Sequence, residues 1–362
     1  MPGDDHGLRA GCAGDSARPD QAADPAAVAD AVSALMRRYH VGPPSEHFDG
    51  SRFFIPGHDT DRSLRDVLRW RFRGERTPWP AIFPSPFADQ KPSNRENGLR
   101  IWLIGHASFL LQIANLNILI DPVFSDRASP LQFAGPKRIN PPGIALADLP
   151  PIDAILITHN HYDHLDLASV ARLWVMHHPR VIAPLGNDAI IHRAGRGIGV
   201  ETLDWGESVL LGALRLYLVP ALHWSARSLG DRRKALWGGF VLAGDRVVYH
   251  AGDTGYGDGA HFRAIRETYG APDVALLPIG AYSPRWIMRN QHMNPEEAVR
   301  ALGDCGAGQG LGYHWGTFQL TDEAITEPIE WLTTALTAAG IEPERFPAMW
   351  PGQSWYLSHW NL

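Results

Sequence analysis

Six consecutive residues near the middle of the chain, His159-Asn160-His161-Tyr162-Asp163-His164, carry three imidazoles and a carboxylate. They follow Ile155, Leu156 and Ile157, an apolar run that reads as a buried strand. On an extended segment, residues two apart share a side, so His159 and His161 are expected to project together. Asp163 and His164 come where the chain turns and can swing a second pair of ligands around. Imidazole nitrogen and carboxylate oxygen suit zinc, and also iron or manganese. The plain alternative is a polar loop that happens to be rich in histidine. Ligand-type residues at the carboxyl end of a strand argue for a site instead.

The pattern His-x-His-x-Asp-His resembles the metallo-β-lactamase fold superfamily. That resemblance implies an α+β fold, a four-layer αββα sandwich with a dinuclear site at the edge of the sheets. It also implies three further ligands downstream. His223 follows the apolar run from Leu214 to Pro220, Asp253 lies in the Gly-Asp turn after Val247-Val248-Tyr249-His250, and His314 follows Gly310-Leu311-Gly312-Tyr313. On the family pattern one divalent metal takes His159, His161 and His223, the other takes Asp163, His164 and His314, and Asp253 bridges them. Zinc is the first choice for both ions, with iron or manganese open.

The elements that must position these groups can be read around them. Arg100 to Ile104, Ser108 to Ile113 and Leu116 to Ile120 read as strands, the last two joined at Ala114-Asn115. His106 lies in the turn after the first; a metal ligand is one reading of it, and a supporting or structural histidine is the favoured one. Asp121 ends the third; an acidic group there can accept the N–H of a ligand histidine and fix its tautomer, a role the resemblance carries over. Leu167 to His177 and Asn187 to Arg193 read as helices. Arg180 to Ala183, Val209 to Leu211 and Leu214 to Val219 read as strands. Ala235 to Ala243 and Arg246 to His250 form a hairpin at Gly244-Asp245. Asp273 to Pro278 is a buried strand, Pro295 to Leu302 a helix and Asp322 to Ala339 a long helix interrupted at Pro328. His177, His178 and His192 fall outside any ligand spacing and read as surface.

Residues 1–23 have almost no large apolar side chain and read as a disordered tail. Residues 24–98 read as an N-terminal helix, Pro25 to His40, followed by irregular covering segments; 99–362 read as the hydrolase domain. Arg62 to Trp79 interleaves six arginines with Leu64, Leu68, Trp70, Phe72 and Trp79. A helix packed over the sandwich accounts for this stretch, because Asp61, Asp66 and Glu75 dilute its charge; contact with anionic lipid headgroups is the other reading.

The formal net charge of −6 argues against a general nucleic-acid binder. Two cysteines, Cys12 and Cys305, make no disulfide scaffold. The N-terminus lacks the basic and apolar regions of a signal peptide, and no apolar run reaches membrane-spanning length. The expected location is the cytoplasm, with peripheral contact to a membrane.

Several longer blocks resemble one branch of the superfamily, the N-acylphosphatidylethanolamine-hydrolysing phospholipase D family. They are Asp121 to Pro130 with Gly135-Pro136-Lys137-Arg138, His223-Trp224, Leu236-Trp237-Gly238, Gly252 to Tyr256, Pro278 to Trp286, Gln291 to Ala298, and His314 to Phe318. The resemblance runs from about Phe48 to about Trp331. It implies a phospholipid substrate, attack on phosphorus by a metal-bridging hydroxide, and release of phosphatidic acid and an N-acylethanolamine; a homodimer is a further expectation. Asp163, Asp253 and His292 are the expected catalytic groups, His292 orienting the phosphate or protonating the leaving oxygen. Arg285, Tyr282, Gln291 and Trp286 are candidates for substrate contact. The competing readings are a lactonase or phosphodiesterase acting on a small soluble substrate, a metallo-nuclease, and a non-catalytic metal- or lipid-binding protein.

Overall fold

In the strand Leu99–Gly105 (β1), Ile101 and Leu103 enter one buried cluster while Trp102 and Ile104 enter another. The same alternation recurs in Ser108–Ile113 (β2), where Phe109 and Leu111 face one way and Leu110 the other. Period-two side chains with both faces apolar require cover on both sides of a sheet. The computed structural model describes residues 39–59, 63–87, 90–195 and 197–357. Within them β1 and β2 belong to a seven-stranded sheet in the order β13-β1-β2-β3-β4-β5-β6. The others are Leu116–Ile120 (β3), Ala154–Leu156 (β4), Arg180–Pro184 (β5), Val200–Leu203 (β6) and Ser354–Leu357 (β13). The second sheet, in the order β12-β11-β10-β9-β8-β7, contains Ser208–Leu211 (β7), Leu214–Val219 (β8), Gly239–Ala243 (β9), Val247–His250 (β10), Val274–Pro278 (β11) and Gln309–Tyr313 (β12).

The cluster between the sheets takes Ile101, Phe109, Ile118 and Leu156 from the first and Leu216, Phe240, Val248, Leu276 and Leu311 from the second. Phe48 and Phe53, from the segment before β1, also belong to it. On the outer face of the first sheet lies the helix Leu167–His177 through Val170 and Leu173. The outer face of the second is covered by Ala260–Tyr269, Pro295–Cys305 and Glu327–Ala339, through Phe262, Ile265, Leu302 and Leu336. These are the four layers expected.

Strand direction brings the ligands to one rim. β1 and β3 each run antiparallel to β2, and β3, β4, β5 and β6 are mutually parallel. In the second sheet β8 and β10 both run antiparallel to β9, and β10, β11 and β12 are parallel. The carboxyl ends of β1, β3 and β4 thus share one edge, as do those of β8, β10, β11 and β12.

Several expected boundaries shift for physical reasons. β9 begins at Gly239, because Leu236 and Gly238 donate their backbone N–H to Leu185 and Thr158 of the other half rather than to a strand partner. The helix near residue 322 begins at Glu327, because the Asp322 carboxylate accepts from Trp70 Nε1 and the Glu323 carboxylate from the Ala281 and Ser283 amides. The Asn187 helix shortens to Asp188–Ile191. The basic stretch forms the helix Leu64–Arg73, started by a reciprocal Ser63/Asp66 cap. Trp70 is half-buried, with Nε1 donating to Asp322, but Leu68 is 45% and Phe72 80% exposed, so its apolar residues are not all buried. Most of the expected helix from Pro25 to His40, and the tail before it, lie outside the described residues. Among the described residues no helix is long and apolar enough to cross a membrane.

Candidate metal centre

Seven side chains from four segments meet where the two sheets' rims face each other. His159 Nε2 lies 3.0 Å from His161 Nδ1, which lies 3.2 Å from His223 Nε2. A few ångströms away His164 Nε2 and His314 Nε2 are 3.2 Å apart. Asp163 Oδ2 stands 3.6 Å from the first of these and 3.4 Å from the second. Asp253 Oδ2 lies between the two groups, 3.2 and 3.0 Å from His164 and His314 Nε2, and 3.8 and 4.0 Å from His223 and His159 Nε2.

These separations fit cations rather than hydrogen bonds. Two neutral imidazole nitrogens aimed at each other give a repulsion unless one carries a proton. Donors bound tetrahedrally to zinc at about 2.0–2.1 Å sit about 3.3 Å from one another, close to the spacing of both groups. Asp253 Oδ1 and His292 Nδ1 are buried with no hydrogen-bond partner. The residues therefore fit a pair of divalent ions, the first among His159, His161 and His223, the second among Asp163, His164 and His314.

Neighbouring groups aim the rings. The Asp121 carboxylate accepts from the Thr158 amide at 2.7 Å, from Thr158 Oγ1 at 2.5 Å and from His164 Nδ1 at 2.7 Å, which turns His164 Nε2 inward. Thr158 Oγ1 also lies 3.0 Å from His159 Nδ1. His223 Nδ1 donates to the Gln291 carbonyl at 3.0 Å. His106, Asp121 and His314 all have positive φ, at 54°, 46° and 69°. For residues other than glycine such backbone costs on the order of 1–3 kcal/mol each, and it persists where surrounding bonds over-determine it. The metal-binding loop is clamped from behind: Arg227 donates to the Asn160 and Leu165 carbonyls at 2.9 and 2.7 Å, with its guanidinium 3.9 Å over the Tyr162 ring.

Burial and mutual charge set the protonation of the metal-free centre. Burial lowers His159 and His223 far below the ordinary imidazole range. Burial would lower His314 too, but Asp253 and then Asp163 overcome it and hold the group up at about 9. His164 is raised for the same reason. Burial lifts the Asp121 carboxyl, against the pull of His164 and Thr158.

His292 joins this cluster: its Nδ1 is 3.9 Å from Asp253 Oδ2 and its ring 5.0 Å from that of His223. The substrate-contact candidates divide. Gln291 Oε1 accepts from Trp224 Nε1 at 2.6 Å, and Trp224 lies edge-on to His161 at 4.4 Å, so Gln291 reaches the rim. Arg285 does not present itself to a phosphate: it donates to the His292 carbonyl at 2.8 Å and to Glu297 at 2.7 Å, bracing the His292 loop. Tyr282 is buried and its hydroxyl donates to Glu327 at 2.8 Å, a structural tie rather than a substrate contact. Trp286 is half exposed beneath the Arg69 guanidinium. Thr158 and Arg227 carry no role in the sequence reading, and Trp224 enters it only within the His223-Trp224 block. Only adjacency to the motif, for Thr158, and to His223, for Trp224, could have flagged them.

Comparison with known proteins gives this arrangement a family. A model described as "Beta-lactamase superfamily domain" matches residues 116–315. The chain is 41% identical over 304 residues to an uncharacterized protein of Mycobacterium tuberculosis, covering 81% of this chain and 78% of that one. It is 38% identical over 276 residues to N-acyl-phosphatidylethanolamine-hydrolyzing phospholipase D 1 of Caenorhabditis elegans, covering 73% and 77%. The structure of Igni18, a metallo hydrolase from Ignicoccus hospitalis, superposes with a TM-score of 0.53 at 24% identity over 72% of this chain and 99% of that one. With the αββα layers and the histidine-rich rim already in view, the chain belongs to the β-lactamase superfamily, within its N-acylphosphatidylethanolamine-hydrolysing phospholipase D-like family.

Proposed function

We propose that the protein is a dinuclear metal-dependent phosphodiesterase that hydrolyses N-acylated phosphatidylethanolamine to phosphatidic acid and an N-acylethanolamine. One observation carries the chemistry: two donor groups of tetrahedral spacing share the carboxylate of Asp253. The relative from Caenorhabditis elegans supports the substrate. Two divalent ions in such a centre, zinc by preference, acidify a water and neutralise a phosphodiester's charge. Hydrolysis breaks the bond from phosphorus to the ethanolamine oxygen; the water oxygen adds to phosphorus and a proton ends on the leaving alkoxide.

The protein's own groups bind and orient. Asp163 and Asp253 supply the negative charge that holds the cations. His292 stands over the cluster with Nδ1 unpartnered. Burial pushes its imidazole down to about 3, so it enters neutral, as a hydrogen-bond partner that orients the phosphate rather than as the acid. Trp224 and Gln291 form the rim beside His161.

Access from a lipid surface is supported by the helix Leu64–Arg73. It exposes Leu68 and Phe72 beside Arg65 and Arg69, and Phe133 is exposed two residues before Gly135, which shares a groove with Trp70. Amphipathic helices with basic and aromatic residues of this kind enter headgroup regions. Metal analysis combined with product release from N-acylated phosphatidylethanolamine in mixed micelles tests the reading. Two ions per chain and a stoichiometric yield of both products are expected. Turnover of a water-soluble diester or lactone, with none of the phospholipid, would replace it with a small-substrate hydrolase.

A further inference from the structure

His106 is used by none of the chemistry above, yet it is 1% exposed and touches the centre. It forms the turn between β1 and β2 in a left-handed conformation, φ 54°. Two bonds impose that conformation. Its amide donates to Thr317 Oγ1 at 3.1 Å, and its carbonyl accepts the amide of His314 at 3.1 Å. Its ring centroid is 4.1 Å from that of His314, and Phe318 packs edge-on at 5.3 Å. Nε2 lies 3.0 Å from Asp163 Oδ2, the oxygen that also faces His164 and His314. Nδ1 is buried without a partner.

We propose that His106 is a positioning residue for one half of the centre: its Nε2–H holds the Asp163 carboxylate turned toward His164 and His314, and so sets the occupancy of the second cation independently of the first. The inference rests on the dinuclear reading. An ionised carboxylate is acceptor-only, so the proton of His106 lies on Nε2 and the lone pair on Nδ1. A strained turn whose own carbonyl receives the His314 amide couples the same residue to two of the second cation's three terminal ligands. Among the described residues the ring of His106 meets Asp163, His164, His314 and Phe318, all on the side of the second cation rather than that of His159, His161 and His223. Removing a group that orients a ligating side chain in this way typically costs about 10–100-fold in metal affinity.

The test is stepwise zinc binding to the metal-free full chain, followed by calorimetry and by metal analysis after gel filtration, for wild type, His106→Phe and His106→Gln. The His106→Phe variant fills the space without a donor. It should keep the tighter or looser of the two cations that belongs to His159, His161 and His223 at wild-type affinity, and lose about 10–100-fold at the other. His106→Gln, which restores an N–H donor, should recover most of that loss; a role confined to packing would not separate the two variants. Equal affinities in all three proteins, or equal weakening of both cations, would overturn the proposal. A wild type that binds fewer than two cations would instead remove the dinuclear reading beneath it. Should His106→Phe not fold, nitrogen-15 spectra of histidine-labelled, zinc-loaded wild type decide: the Nε2–H tautomer of His106 is expected, and an Nδ1–H tautomer contradicts the bond to Asp163.

Discussion

Replacing Asp121 by Asn changes one atom in a buried network and leaves its shape intact. Asparagine is among the few residues that tolerate the positive φ found at this position, so backbone strain is not added. The amide oxygen can still accept the Thr158 amide. The NH2 group, however, takes the place of the oxygen that now accepts Thr158 Oγ1 and, at 2.7 Å, His164 Nδ1. Thr158 can rotate its hydroxyl and accept. His164 has no such freedom: its Nδ1 must accept, which moves the proton to Nε2, the nitrogen aimed at His314 and Asp253. A cation then binds only if the proton returns to Nδ1, where it meets an amide N–H in place of the carboxylate; the hydrogen bond to a charged partner that is lost is worth about 1.5–3 kcal/mol. At about 1.4 kcal/mol per tenfold this is about 10–100-fold in affinity for the second cation. Chelator competition with zinc reads that loss directly, and melting of the metal-free variant controls for unfolding. A variant that folds and binds both cations with wild-type affinity would refute the claim that Asp121 fixes the tautomer of His164.

Other outcomes follow from the same geometry. Asp253→Asn removes the charge shared by both ligand groups; metal analysis should find depleted protein, and turnover should fall by more than the ~10–100-fold that loss of an orienting partner produces. Phe72 is 80% exposed, and burying such a side chain in lipid is worth about 1.5–3 kcal/mol, so Phe72→Asp should lower sedimentation with anionic vesicles at least about tenfold while leaving metal content unchanged. Because His314 holds its proton to about pH 9 in the metal-free centre, a cation must displace it below that pH. Apparent zinc affinity should rise with pH through about 9, where His314 gives up its proton, as measured by titration at several pH values. The sign for metal-free stability is opposite: the raised imidazole stabilises fully below its ordinary 6.5 and ceases to as pH passes about 9. A Cβ at Gly143 would lie 1.8 Å from the Gly352 amide, so Gly143→Ala should destabilise by about 1–3 kcal/mol or more, read as a lowered melting temperature.

The convergence of these seven side chains was legible because metal ligation would demand fixed residue types at strand ends. His159 to His164 lie in one contiguous run, and His223, Asp253 and His314 each follow an apolar run that pairs in a sheet. The layers were legible for the same reason that β1 and β2 are buried on both faces. What escaped depends on distant partners. β13 pairs with β1 across most of the chain, and its Ser354 and Tyr356 give no apolar pattern. β6 is an edge strand with one fully buried residue. The helix Ala260–Tyr269 buries only Phe262 and Ile265. Arg285 and Tyr282 looked like phosphate contacts in the sequence, but Glu297 and Glu327, twelve and forty-five residues further on, hold them. Side-chain partners at such separations leave no local trace.

The most direct measurement is an anomalous difference map from crystals of the metal-loaded protein, collected at the absorption edge identified by fluorescence. Two peaks about 3.5–4 Å apart are expected on either side of the Asp253 carboxylate, one within bonding distance of His159, His161 and His223, the other of Asp163, His164 and His314. A single peak, or peaks away from these seven side chains, would contradict the dinuclear centre and the hydrolysis proposed for it.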